Sequence, residues 1–171
     1  MSAATFDSTK MKGMVGHALE FGAQRLGHRD VQRTLDAVGH GDCAACEYVR
    51  YGLAQEIAEY LGSVDTSIKA VYTFEPEYAT GVDGAGPRPG LSPAISMIAW
   101  VDHKSAALSS IVDMLSGAVA EEMKQLACPK ANALCHTLDV KVVDDREVED
   151  RLGYGALISS LFIRPLEVWH R

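Results

Sequence analysis

The sequence predicts an α+β fold: a mixed or mostly antiparallel sheet of about four strands with helices packed on it, and a helical N-terminal third. Three observations carry this. Apolar residues recur at helical spacing through the first third, at Met11, Met14, Val15, Ala18 and Leu19 and again at Val31, Leu35 and Val38. The period changes to two at Ile68, Ala70, Tyr72 and Phe74, and again over His136 to Val143. Between them, Ala94 to Val101 is apolar or small on both faces, as a central strand covered on both sides must be.

In chain order, Gly27 interrupts the first helix and Asp30 caps the second. Gly13, Gly16 and Gly22 weaken the first helix, so it needs tertiary packing or close backbone approach. Gly39-His40-Gly41-Asp42 is a break followed by an N-cap. From Asp42 to Leu61, the residues Cys46, Val49, Leu53, Ile57 and Tyr60 or Leu61 form one apolar stripe, and Gly62 is expected to end the helix. The strands around Ile68 to Phe74 and Ala94 to Val101 are joined by a Gly- and Pro-rich stretch, 79–92, which reads as a long mobile loop.

A long helix is expected over Ser105 to Ala127, with Leu108, Ile111, Val112, Leu115, Val119, Met123 and Leu126 on one stripe. His136 to Val143 reads as a strand with one solvated face. Tyr154, Leu157, Ile158 and Leu161 fit helical spacing within 144–162, and 165–170 reads as a short closing strand. The order of elements favours helices packed on one face of the sheet.

The chain reads as one globular domain over its 171 residues, with 1–12 expected to be disordered. Hydrophobic residues make up 47% and charged residues 23%, so the chain has apolar content enough for a core without covalent staples. The formal net charge is −7, and the basic residues are scattered among more numerous acids. Counterion release on nucleic acid needs clustered lysine and arginine, so nucleic acid is not an expected partner, and neither is an anionic membrane. The first twelve residues lack the apolar run of a signal peptide, and no stretch is long and apolar enough for a membrane helix. The expected location is the cytoplasm, with the four cysteines reduced or bound to metal.

Cys43-Ala44-Ala45-Cys46 is the sharpest local feature. A helix N-terminus favours a thiolate, which opens a redox dithiol as one reading, although the strand that precedes a thioredoxin-like site is missing. A second reading makes Cys43 and Cys46 half of a zinc site completed by Cys128, Cys135 and His136, with His40 as a further ligand candidate. The third makes all four cysteines small buried hydrophobes or ordinary thiols. Asp102 and His103 are candidate catalytic residues, because they fall where the central strand meets the long helix, and ligands gather beyond the carboxyl ends of parallel strands. The alternative there is plain capping of the helix by Asp102 or Ser105.

Glu75 and Glu77, and Asp144 and Asp145, are paired acids without a companion motif. No nucleophile elbow, phosphate loop or dinucleotide fingerprint is present. The expected function is therefore a small ligand- or protein-binding module that self-associates as a homodimer or other homo-oligomer, without catalytic activity. The alternatives are a metal- or thiol-dependent protein using Cys43 and Cys46, or an enzyme with a pocket near His103.

Overall fold

The computed structural model describes residues 13–74, 95–127, 138–162 and 164–171. The segments 1–12 and 79–92 lie outside the described residues, as do Glu75, Glu77, Cys128, Cys135 and His136. The elements run α1 (Met14–Leu26), α2 (Val31–Gly39), α3 (Cys43–Val64), β1 (Ile68–Thr73), β2 (Ile95–Val101), α4 (Ala106–Ala127), β3 (Leu138–Asp144), α5 (Asp145–Glu149), α6 (Gly155–Ile158) and β4 (Leu166–His170). This is the expected α+β fold with a helical N-terminal third.

The four strands form one mixed sheet in the order β3-β2-β1-β4. β1 is antiparallel to both β2 and β4, while β3 runs parallel to β2 in the register Ile95↔Leu138, Met97↔Val140 and Ala99↔Val142. A parallel pair cannot be joined by a hairpin, so α4 carries the chain back over the sheet. β2 is central, as its two-sided apolar pattern requires, and Met97, Ile98, Ala99 and Val101 are all fully buried.

On one face of the sheet, Ile68, Val71, Ile95, Met97, Val101 and Leu138 join Met14, Val15, Leu53, Ile57, Leu61, Leu108, Leu115 and Val119 in a single core. The helices α1, α3 and α4 therefore share that face. α1 and α3 approach closely because glycine stands at the contact. A Cβ at Gly22 would sit 2.9 Å from Val49 Cγ2, and one at Gly52 would sit 3.0 Å from Phe21 Cδ1. Of the glycines that weaken α1 as an isolated helix, Gly22 is thus the one that lets it pack, whereas a Cβ at Gly16 would meet nothing within 4 Å.

Local signals fix several boundaries. Asp30 caps α2 by accepting from the Arg33 N–H, and Asp42 caps α3 by accepting from the Ala45 N–H. Ser105, not Asp102, caps α4, its Oγ accepting from the Leu108 N–H at 3.1 Å. Each such cap satisfies one of the orphan donors of a first helical turn.

Four expectations change. Gly62 does not end α3, which continues to Val64. The glycine is there for space, since a Cβ would lie 2.2 Å from Cζ2 of Trp169, whose indole rests on the helix from β4. Cys46 keeps its place against the core but is only half-buried, and Ala45 joins the stripe fully buried. The segment 144–162 is not one helix but two short ones, because Arg151 and Gly153 take positive φ values of 55° and 50° between them. Its expected stripe is correspondingly not buried: Leu161 is 85% exposed. Finally, the helices do not all lie on one face. α5 and α6 cross the other face, where Asp145 meets Lys69 and Trp100, and Tyr154 meets Phe74.

Two glycines separate packing from propensity. A Cβ at Gly155 would fall 2.4 Å from the Glu147 carbonyl oxygen, whereas one at Gly117, inside α4, meets nothing within 4 Å. Gly155→Ala is expected to destabilise the protein by about 1–3 kcal/mol through overpacking. Gly117→Ala is expected to stabilise it by roughly 0.5–1 kcal/mol through helix propensity. Urea denaturation of both variants checks the opposite signs.

Candidate functional site

Two arrangements of polar groups lie side by side at the β3 end of the sheet. The first occupies the carboxyl ends of β2 and β3. Lys69, at the start of β1, places its ammonium 2.7 Å from Asp145 Oδ2 and 3.0 Å from Asp102 Oδ1, and 5.4 Å from the centre of the Trp100 ring. The Trp100 indole N–H donates to Asp145 Oδ1 at 2.8 Å. Beyond it, Lys104 pairs with Glu147 at 2.7 Å.

Sequence explains why Asp145 is delivered there. Asp144 ends β3 and caps α5, accepting from the Glu147 N–H at 3.0 Å, while the Glu147 carboxylate accepts from the Asp144 N–H at 3.0 Å. This reciprocal capping box turns the chain sharply at the strand end. Lys69 holds the Asp145 carboxyl below its ordinary range against the opposing influence of burial, and Trp100 adds a smaller lowering effect. Lys69 is correspondingly raised, chiefly by Asp145 and then by Asp102. Asp145 and Lys69 each favour the charged form of the other, and the cluster clamps α5 to the sheet.

The second arrangement is a cleft of about 450 Å³. Its lining comes from Lys104 and the first turns of α4 (Ser109, Val112, Asp113), from β3 (Val140 to Val143), and from Glu147, Gly153 and Tyr154. Val140 and Val142 point to the helix side of the sheet, where α4 lies. Lys141 and Val143 point to the opposite side, where Lys141 sits 5.5 Å from the centre of the Tyr154 ring. Residues from both faces of one strand can line a single cleft only if it runs along the strand's edge.

β3 is an edge strand, and in a parallel ladder half of its backbone groups face away from β2. Among the described residues, no element other than β2 donates a backbone hydrogen bond to 139–143 or accepts one from them. The rim carries Lys104 and Lys141 against Asp113 and Glu147, so its charges balance and a polyanion is not favoured.

The sequence-derived site residues fall as follows. Asp102 belongs to the Lys69 clamp. His103 is exposed, does not line the cleft, and bonds to no described residue. Cys43 is exposed and Cys46 half-buried, and both are free thiols. Burial pushes the Cys46 thiol up, against a smaller opposing influence of Arg50, so the expected activation by the helix N-terminus does not prevail at this residue. Cys46 Sγ lies 4.0 Å from the Val38 carbonyl, and His40 Nδ1 is spent on the Asp36 carbonyl at 2.6 Å. No three His, Cys, Asp or Glu side chains converge to hold a metal among the described residues.

The cleft residues escaped the sequence reading. The available signal was the pair of charges Asp139 and Lys141 inside the strand, since charges within a strand mark an edge. The flanking Ser109, Asp113, Gly153 and Tyr154 share no local pattern that would have joined them to it.

No known protein family matches the chain, and neither a curated protein nor a solved structure shows significant similarity to it. No helix is long and apolar enough to cross a membrane among the described residues.

Two measurements check this geometry. Because the Asp145 pKa is depressed on folding, its pairing contributes stability above the unfolded value and loses it as pH falls through the lower folded value. Tryptophan fluorescence is expected to show a transition below about pH 4, the ordinary aspartate range, that Asp145→Asn removes. Cys43 is expected to react with iodoacetamide faster than Cys46 in the native protein. Peptide mass mapping of the alkylated sites after a short exposure decides this.

Proposed function

We propose that the protein is a non-catalytic binding module that takes an extended polypeptide segment along the free edge of β3. The observation that carries this reading is that the cleft is lined by four consecutive β3 residues drawn from both faces of the sheet. A strand laid in that slot would pair with the outward backbone groups, while its alternate side chains would meet Val112 on one side and Tyr154 on the other. Main-chain pairing gives such sites affinity and the flanking walls give selectivity. The balanced rim suits a segment of mixed or neutral charge.

A second feature supports protein binding over small-molecule binding. Leu161 and Phe162 are 85% and 96% exposed, and Leu152 and Leu166 are about half exposed. A run of exposed large apolar side chains in one segment is uncommon on a protein that meets only water.

Selection from a displayed octapeptide library tests the reading. Enriched peptides are expected to alternate in polarity and to perturb the amide resonances of 139–143. They are expected to lose binding to Ser109→Trp, which fills the cleft from an exposed helix position. If no peptide is enriched, or if enriched peptides bind Ser109→Trp equally well, the β3 edge is not a binding site.

A further inference from the structure

We propose that the segment seated in this slot is β3 of a second copy, paired antiparallel about a two-fold axis through Val140, so that the two sheets become one. The inference rests on the strand-addition reading above and names its occupant.

Symmetry leaves few registers. In a two-fold antiparallel pair, residues directly opposite each other share a face, so the axis must pass through a residue rather than between two. An axis at Asp139 or at Lys141 sets a charge opposite its own copy, which destabilises a strand pair. An axis at Val142 sets Asp144 opposite Val140 and leaves Lys141 facing Val143. Of these four, an axis at Val140 is the one that matches the positions from Leu138 to Val142. Asp139 then faces the partner's Lys141 and Lys141 faces the partner's Asp139. On the helix side, Val140 meets its own copy and Leu138 meets the partner's Val142.

The single chain already holds these charges ready. Lys141 Nζ lies 2.9 Å from Asp139 Oδ1 on the same face of β3, with both side chains more than a third exposed. Pairing exchanges this contact within the strand for two reciprocal contacts between strands. It also closes the edge, which an isolated sheet otherwise leaves open to unspecific partners. On the helix side the edge is bordered by Ser109, Val112 and Asp113, and the Ser116 hydroxyl donates to the Leu138 carbonyl at 3.3 Å, a bond that the outermost position of the pairing must share or displace.

Charge reversal tests the register in the full chain. Analytical ultracentrifugation is expected to find the wild type as a reversible dimer. Asp139→Lys and Lys141→Asp are each expected to weaken self-association by about tenfold or more, because both copies then carry like charges across the pair. An equimolar mixture of the two variants is expected to recover a heterodimer. Neither variant keeps the contact within the strand, so this recovery isolates the contact between strands. Amide exchange over 139–143 is expected to slow as the wild-type concentration rises.

A wild type that stays monomeric overturns the dimer, and the peptide selection then decides the underlying reading alone. Variants that dimerise like the wild type, or a mixture that stays monomeric, overturn the register. Slow exchange of 139–143 at every concentration shows that the edge is occupied within one chain, and overturns both. Circular dichroism of each variant confirms that the exposed substitutions leave the fold intact.

Discussion

The burial of β2 on both faces and along both edges is the constraint on which the rest of the structure depends. A strand with no wet side must be covered above and below, and every backbone group must find a partner in a neighbouring strand. The helices α1, α3 and α4 supply the cover on one face, and β1 and β3 supply the edges. The parallel pairing with β3 forces a crossover, and α4 is that crossover. The remaining face falls to the segment after β3, which explains why two short helices of little intrinsic stability persist there. Helices of four or five residues have almost none of their own. The capping box at Asp144 and the close seat of Gly155 against the Glu147 backbone hold them in place.

The ion pairs at the strand ends should be weighed accordingly. Lys69, Asp102 and Asp145 are each more than a third exposed, and pairs of that kind are typically worth about 0–1 kcal/mol. They orient α5 and add little to the stability of the fold. The same distinction separates the two halves of the β3 end: the charged clamp fixes geometry, while the cleft beside it leaves surface unused. Tyr72, on the other edge of β1, shows how a polar group is instead absorbed. Burial, and then the Glu167 carboxylate, push it up to about 12, so its hydroxyl remains a protonated partner for β4.

The sequence carried the fold well where one physical demand dominated. Two-sided apolarity marked Ala94 to Val101 as central, and the stripe from Leu108 to Val119 marked α4 as a core helix. It misled where two demands met at one residue. Gly62 reads as a helix terminator by its freedom of backbone, yet it serves as the seat of Trp169, a contact invisible along the chain. Tyr154, Leu157, Ile158 and Leu161 keep helical spacing, yet positive φ at Arg151 and Gly153 breaks the segment before a full helix can form. The site was less legible than the fold. Cys43, Cys46 and His103 drew notice for their chemistry, whereas the cleft is made of valines, a serine and a strand edge. Those acquire meaning only through topology.

The position of β4 has a consequence in time rather than in space. β1 sits between two antiparallel partners, β2 and β4, and β4 follows only after β2, α4 and β3 have all been traversed. On a chain emerging vectorially, one side of β1 therefore waits for its neighbour until β2, α4 and β3 have emerged. Contacts of such long sequence separation close slowly, because their loop entropy is paid before they reward it. The smooth surface of α3 at Gly62 is meanwhile a vacant seat, filled when Trp169 arrives and docks. β4 thus serves both layers at once, closing the free side of β1 and covering α3 at Gly62.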